Sequence, residues 1–165
     1  MRRGTSAGSS AKSSNVFDHM TDRITFRPAR LQDFEFCQRL FFEGMGWIIE
    51  ALCLDMARQH ESFASQWKLE EVRVITVAGE DAGWLQTAPA DEAIFPGKLY
   101  LARTFQSQGI GGHVVQLLIE EASRSGKAIT LGMVKINPAR RLYERLAFRV
   151  THEDQHKVYM RRDPN

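Results

Sequence analysis

Cysteine is scarce in this sequence, and neither of the two cysteines has the spacing of a disulfide framework or of a thiolate metal site. Among 165 residues only Cys37 and Cys53 occur, and no closely spaced Cys or His partner of the kind found in zinc sites accompanies them. Each lies in an apolar neighbourhood that predicts helix, so we expect two buried, reduced thiols and no metal.

Long hydrophobic runs and a large charge of one sign are also missing. No apolar run approaches the roughly 20 residues that cross a bilayer. The 22 basic and 20 acidic residues give a net charge of +2, which does not call for a nucleic acid or an anionic membrane as partner. We therefore expect a cytoplasmic protein with neither kind of partner.

The hydrophobic residues, 43% of the chain, are enough for a single core. Residues 1–15 contain Ser, Gly, Ala and basic residues and almost nothing that a core could bury, which is typical of disorder. We place a disordered leader at residues 1–22 and one domain at residues 23–163.

The first structured segments predict one strand and two helices. Ile24 to Arg27 reads as a strand, and Phe34, Cys37 and Phe41 then recur at helical spacing. The glycines of the segment 44–46 interrupt this pattern, so we expect the second helix to begin after them.

The rest of the chain alternates between short strands and helices. We predict strands at 72–78, 83–87, 98–102, 128–134, 148–151 and 157–161, helices over about 114–124 and 139–146, a turn at 79–81 and a loop at 89–97. This order predicts an α/β (α+β) fold, in which a mixed, mostly antiparallel sheet of six or seven strands is flanked by about four helices.

A glycine-rich turn, Gln106 to Gly112, connects a predicted strand to a predicted helix. The first N–H groups of a helix lack intrahelical partners, and Gly109, Gly111 and Gly112 allow the backbone to approach a phosphate closely. Glycines are also common as mere connectors. The turn lacks the third glycine of the dinucleotide-binding fingerprint and the Lys of the ATP-binding phosphate loop.

Two blocks together resemble the Gcn5-related N-acetyltransferase (GNAT) family. Leu99-Tyr100-Leu101 followed by Gln106-Ser107-Gln108-Gly109-Ile110-Gly111 is similar to the family's acetyl-coenzyme A motif. The segment from Asn137 to Phe148 is similar to its later N-x-A-x-x-L-Y-x-x-x-G-F block. Ala147 stands where a glycine is usual, and Arg103 stands where a proline often follows the strand.

The resemblance implies an N-acetyltransferase in which a primary amine attacks acetyl-CoA directly within a ternary complex. It implies two splayed parallel strands at the centre of the sheet, with the coenzyme's arm between them and a backbone N–H near Leu101 on the acetyl carbonyl. Tyr143 matches the tyrosine that protonates the departing thiolate. The implied coenzyme-binding residues are Leu99, Leu101, Gln106, Ser107, Gln108, Gly109, Ile110, Gly111, Gly112, Asn137, Ala139 and Tyr143.

Several assignments stay open at this point. Taken alone, Tyr143 also fits a core tyrosine, and Asn137 also fits a helix N-cap. Glu92 is the candidate general base, but it also fits a solvated surface residue. Glu43, Glu50 and Asp55 would suit a cationic acceptor, but an exposed helix carries such residues anyway.

The acceptor is a small-molecule or peptide amine, and a homodimer is common in such families. Two other functions remain as alternatives. One is a CoA-binding regulatory or interaction domain with little or no catalysis, and the other is a nucleotide-binding domain.

Overall fold

The computed structural model describes residues 23–165, apart from the side chains of residues 94–97. The predicted leader at residues 1–22 lies outside the described residues. In the described part of the chain, seven strands and four α-helices follow one another. They are β1 (Ile24–Pro28), α1 (Phe34–Ala51), α2 (Met56–Gln66), β2 (Val72–Val77), β3 (Glu80–Pro89), β4 (Ala93–Leu101), α3 (Ile110–Arg124), β5 (Ala128–Val134), α4 (Arg140–Arg145), β6 (Arg149–Glu153) and β7 (Lys157–Arg162).

The strands form one sheet in the order β1-β2-β3-β4-β5-β7-β6. Every neighbouring pair is antiparallel except β4 and β5, which run parallel. The mixed, mostly antiparallel α+β fold predicted from the sequence is therefore confirmed.

The central strands β4 and β5 pair only where they begin. Their parallel register consists of Ala93 with Ala128 and Ile94 with Ile129, although β4 continues to Leu101 and β5 to Val134. Beyond these two pairs the strands diverge and leave a gap in the middle of the sheet, as the resemblance implied.

The break between the first two helices is not where the glycines of the segment 44–46 predicted it. Helix α1 runs through them without interruption and ends at Ala51, and Asp55 begins α2 by accepting the N–H of Arg58 at 3.2 Å. The reason is tertiary packing: a Cβ on Gly44 would lie 2.9 Å from Cδ1 of Tyr100. The glycine therefore allows strand β4 to approach the helix closely.

Strand β4 begins inside the segment that we predicted as a loop. It starts at Ala93, and its register to β3 shifts between the pairs Gln86–Lys98 and Thr87–Pro96, so that Gly97 is the extra residue of a β-bulge. Bulges accept proline and glycine because the regular hydrogen-bond ladder is interrupted there. The turn between β2 and β3, which we predicted at 79–81, is also shifted. Ala78 and Gly79 both have positive φ, and Glu80 already pairs with Val77.

Two clusters of buried side chains lie on opposite faces of the sheet. One packs α3 against β4, β5 and β7 and includes Val114, Leu118 and Met160, and the other packs α1 and α2 against Trp84. Cys37 belongs to the second cluster and is fully buried. The expectation for Cys53 is wrong, because it lies exposed between α1 and α2 with a φ of 51°.

Within residues 23–165, no helix combines the length and the hydropathy of a bilayer-spanning segment.

Candidate active site

The gap between β4 and β5 is lined by backbone groups of β4 that face away from its other neighbour, β3. The N–H of Ala102 donates to the carbonyl of Ala82 at 2.8 Å, so Ala102 faces β3. In an antiparallel pair, successive residues alternate between facing the partner and facing away. The N–H groups of Leu99 and Leu101 therefore point into the gap.

The glycine turn lies at the wide end of this gap. It follows a short 3-10 turn, Arg103–Phe105, and ends where α3 begins at Ile110. The first full bond of α3 runs from the N–H of His113 to the carbonyl of Gly109 at 3.1 Å. The N–H groups of Ile110, Gly111 and Gly112 precede that bond, so the helix itself leaves them available for an anion.

Each glycine of the turn has its own physical reason. Gly109 has a φ of +78°, which side chains oppose, and a Cβ there would meet nothing within 4 Å. A Cβ on Gly112 would lie 3.3 Å from Cδ1 of Leu142, so this glycine lets α3 approach α4. A Cβ on Gly111 would make only ordinary contact, 3.7 Å from Cδ1 of Leu101. At Gly111 the described residues do not require glycine.

The side chains of the turn hold its shape. Nε2 of Gln106 donates to the backbone carbonyl of Leu101 at 2.9 Å, and Nε2 of Gln108 donates to the backbone carbonyl of Thr104 at 2.7 Å. Ser107 is exposed with a φ of 60°. Ile110 is buried in the core, so only its backbone can reach a ligand.

Tyr143 lies on α4, next to Leu142, the residue that meets Gly112 of the glycine turn. Its ring packs edge-on against Phe148, with the ring centres 5.4 Å apart, and burial raises the pKa of its phenol. Among the described residues its hydroxyl has no hydrogen-bond partner, and the phenol is a potential proton donor.

Asn137 fits both interpretations that the sequence left open. Its Oδ1 accepts the N–H of Ala139 at 2.9 Å just before α4, which is a capping interaction of the Asx type. The amide nitrogen of Asn137 makes no hydrogen bond within the described part of the chain, so it remains available to a ligand.

The structure does not bring Glu92 to this site. Glu92 is exposed in the turn before Ala93, at the opposite end of β4 from Leu101. At about 3.3 Å per residue, roughly 25 to 30 Å of strand separates it from the wide end of the gap. The sequence placed it ahead of the correct strand but could not show at which end of the site it lies.

Tyr100 belongs to the same motif, and the sequence did not single it out. It lies between Leu99 and Leu101, so its side chain points to the opposite face of β4, towards α1. Its ring packs against Phe41 and Trp84, at 5.4 and 5.5 Å between ring centres. Strand alternation within the motif was the signal that could have shown that Tyr100 faces α1.

Among the described residues, no group of three or more His, Cys, Asp or Glu side chains is arranged to hold a metal ion.

A glycine turn at the open end of two diverging parallel strands is the arrangement found in acetyltransferases of the GNAT class. Residues 76–158, about half of the chain, match the sequence signature of the family described as FR47-like protein. The chain belongs to this FR47-like, GNAT-related family of acyltransferases, for which acetyl-CoA is the co-substrate.

Solved structures confirm the fold. The PaiA N-acetyltransferase of Thermoplasma acidophilum in complex with coenzyme A has 13% sequence identity and a TM-score of 0.70, with 85% of this chain and 98% of that chain covered. The acetyltransferase of Salmonella typhimurium that modifies the N-terminal serine of a 50S ribosomal subunit protein has 19% identity and a TM-score of 0.62, with 87% and 96% covered.

The ribosomal-protein alanine N-acetyltransferase of Escherichia coli has 17% identity and a TM-score of 0.58, with 85% and 93% covered. No curated protein is a significant match to the sequence.

Proposed function

We propose that this protein transfers the acetyl group of acetyl-CoA to a primary amine by direct attack in a ternary complex. The observation that carries the proposal is the gap between β4 and β5, into which the N–H groups of Leu99 and Leu101 point and at whose wide end the glycine turn lies. Acetyl-CoA supplies an activated acetyl group, and the protein's own groups bind and orient the two substrates and exchange protons with them.

The turn supplies the anion site. The free N–H groups of Ile110, Gly111 and Gly112 at the positive end of α3 suit the coenzyme's pyrophosphate. The amide nitrogen of Asn137 suits a carbonyl of the coenzyme's amide-bearing arm. We assign Ala139 and the exposed Ser107 and Gln108 to the same binding surface.

Leu101 and Tyr143 act on the reacting atoms. The N–H of Leu101 points into the gap and polarises the acetyl carbonyl by hydrogen bonding. As the amine nitrogen bonds to the carbonyl carbon, the carbon–sulfur bond breaks and Tyr143 gives its proton to the sulfur. The amine nitrogen loses one proton to solvent, and the phenol regains one. Because burial raises the pKa of Tyr143, the phenol holds its proton at neutral pH until the thiolate leaves.

The position of Glu92 removes it from this scheme, so we assign no carboxylate base among the described residues, and in the scheme the amine reacts in its uncharged form. The two ribosomal-protein acetyltransferases named above act on protein amines, which makes peptide amines as well as small amines suitable test acceptors.

The test is acetyl transfer by the purified protein over a panel of small amines and peptides, with the acetylated product detected by mass spectrometry. We expect product with at least one class of amine. Tight coenzyme A binding without product on any amine would instead support a CoA-binding regulatory domain. Stronger thermal stabilisation by ATP than by coenzyme A would support a nucleotide-binding domain.

A further inference from the structure

Three arginines meet at the end of the sheet that lies away from the glycine turn. Arg149 begins β6, and Arg161 and Arg162 end β7. Together with Ala147 and Asp163 they line a cavity of about 250 Å³. The proposed acetyl transfer gives this cavity no role, so its charges need an explanation of their own.

The cavity is separate from the proposed coenzyme site. Arg162 pairs with Ile129 of β5, and Ile129 in turn pairs with Ile94 of β4, where the two central strands meet. At about 3.3 Å per residue, roughly 20 Å of β4 separates this level of the sheet from Leu101 and the glycine turn that follows it. The arginines and the turn therefore lie at opposite ends of the sheet.

Two of the arginines face each other across a pair of strands. Arg149 and Arg161 are directly opposite in the antiparallel pair of β6 and β7, and like charges at such positions destabilise a sheet. Oδ1 of Asp163 accepts Nε of Arg161 at 2.7 Å, which relieves part of the repulsion. None of the ion pairs within residues 23–165 includes Arg149. An anion between the two guanidinium groups would remove the repulsion that remains.

The guanidinium of Arg162 is partly buried without a counter-ion. Its Nε is enclosed and has no hydrogen-bond partner in the described part of the chain, and its Nη2 donates to the neutral side chain of Asn165 at 3.1 Å. No carboxylate of the described residues pairs with it. A charge that is taken partly out of water is costly unless it is paired. An anion in the cavity would supply that partner through the remaining Nη donors.

Charge and space together indicate the kind of anion. Three guanidinium groups against the single carboxylate of Asp163 leave an excess of two positive charges around the cavity. Pockets that enclose whole small ligands measure about 300–1,000 Å³, so a cavity of this size suits one anionic group. A phosphate monoester carries close to two negative charges at pH 7.5, because its second pKa is about 6. Its oxygens also match the paired N–H groups of arginine.

We propose that Arg149, Arg161 and Arg162 form a binding site for a phosphate group, either free or on a small phosphomonoester. The cavity encloses the phosphate group, and the remainder of an ester lies outside it in solvent. The site does not rest on the proposed acetyl transfer, and it binds its ligand while coenzyme A occupies the glycine turn.

Calorimetry on the protein saturated with coenzyme A tests the site at constant ionic strength. The probes are inorganic phosphate and glycerol 3-phosphate, and acetate is the singly charged control. We expect one phosphate group to bind per chain, at least about tenfold more tightly than acetate, because the second charge strengthens the attraction. Tighter binding of glycerol 3-phosphate would identify an ester as the ligand, and tighter binding of inorganic phosphate would identify the free ion. Absence of binding by both probes, or equal binding of acetate, would overturn the proposal.

Substitutions of the arginines test the residues. Arg149→Gln is the safer variant for folding, because Arg149 is exposed, and Arg162→Gln removes the partly buried charge. Each is expected to raise the Kd for the tighter probe at least about tenfold, since a charge-assisted hydrogen bond is lost. Melting temperatures show whether both variants fold.

Arg58→Gln is the matched control. It removes an exposed guanidinium from α2, on the opposite face of the sheet from α3, and should change the Kd for phosphate by less than about twofold because solvent and salt screen distant exposed charges. Equal weakening in Arg149→Gln and Arg58→Gln would mean that the overall positive charge attracts phosphate, and it would reject the site.

The affinity for coenzyme A separates this site from the glycine turn. Arg149→Gln and Arg162→Gln should both bind coenzyme A with the Kd of the wild type. A weaker affinity for coenzyme A in Arg149→Gln, or release of coenzyme A by added phosphate, would assign the arginines to the coenzyme and would contradict a second site. Phosphate binding that persists in a protein without acetyltransferase activity would still support the site, so the two proposals fail independently.

Discussion

Gly112 and Leu142 join the two sequence blocks that carry the family resemblance. A Cβ on Gly112 would lie 3.3 Å from Cδ1 of Leu142, so the helix after the glycine turn packs directly against the short helix that carries Tyr143. Residues separated by 30 positions in the chain thereby come into contact.

Replacing Tyr143 with Phe should lower kcat by about tenfold to hundredfold, since the phenol's proton can no longer reach the departing sulfur. The ring remains to pack against Phe148, so the KM for acetyl-CoA should change less than about twofold. Steady-state kinetics with both substrates varied measures this. A kcat equal to that of the wild type would remove Tyr143 from the mechanism.

Replacing Gly111 with Ala should separate coenzyme binding from folding. The added Cβ makes an ordinary contact 3.7 Å from Leu101, and alanine is favoured over glycine in a helix, so the melting temperature should not fall. The methyl group does occupy the space next to the free N–H groups, and we expect the Kd for coenzyme A, measured by calorimetry, to rise at least about tenfold.

Gly126→Ala provides the comparison for that experiment. Gly126 has a φ of +64° at the far end of α3, so this variant should lose about 1–2 kcal/mol of stability and keep its affinity for coenzyme A. Unchanged affinity in Gly111→Ala would mean that the coenzyme's pyrophosphate does not approach this glycine.

Replacing Ala147 with Gly should stabilise the protein by about 0.5–1 kcal/mol. Ala147 has a φ of 64°, a left-handed conformation that costs a residue with a Cβ about 1–2 kcal/mol, and glycine's greater unfolded-state entropy offsets part of the gain. Urea denaturation measures the difference. Ala64→Gly, on the exposed side of α2, should destabilise by about 1 kcal/mol, and a loss of stability in both variants would contradict the reasoning.

Replacing Asp33 with Asn should destabilise the fold by about 1.5–3 kcal/mol at pH 7, because a buried carboxylate with charged partners is removed. Asp33 accepts from Nη1 and Nη2 of Arg27 at 2.9 and 3.0 Å and from the N–H of Arg30 at 2.7 Å. These hydrogen bonds lower the pKa of Asp33, and those from Arg27 have the largest effect.

The pH dependence of this effect has a defined sign. A depressed carboxyl pKa contributes stability above the unfolded-state value near 3.9, and this is lost as the pH falls through the lower folded-state value. Urea denaturation should therefore show a smaller difference between Asp33→Asn and wild type at pH 3 than at pH 7. Asp163→Asn, in an exposed pair with Arg161, should match the wild type at both values. A difference that grows in acid would have the wrong sign.

The two cysteines should react very differently with an alkylating reagent. Cys53 is exposed, whereas Cys37 is fully buried and burial raises its pKa to about 12. Mass spectrometry after alkylation at pH 8 should find one label, on Cys53, and two labels in urea. Rapid labelling of Cys37 under native conditions would show that the core over α1 opens readily.

The sequence predicted most of the architecture because hydrophobic periodicity and turn residues act locally. Strand β5 was predicted with its observed bounds, 128–134, since its apolar residues are bounded by Gly126 and Asn137. The predicted helix break at residues 44–46 was wrong because a glycine that ends a helix and a glycine that accepts a close neighbour look the same in a sequence. Only the position of Tyr100, more than 50 residues later, distinguishes them.

The same limit applies to the site. The glycine turn and Tyr143 could be proposed from the sequence because their residue types are themselves the signal, and their roles stay predictions. The position of Glu92 depends on the length of β4, and the bulge at Gly97 concealed where that strand begins. The packing of Tyr100 depends on which face of the strand lies on α1, which is set by partners far away in the chain.

The separation of β4 from β5 also determines what holds the two halves of the protein together. Sheets are ordinarily most continuous at their centre, yet here only two residue pairs connect strands β1–β4 with β5–β7 through the backbone. Side chains of α3, packed beneath both central strands, take over the role of the missing hydrogen bonds. Helix α3 thus bridges the two central strands where they do not pair, and its buried face sets the distance between them.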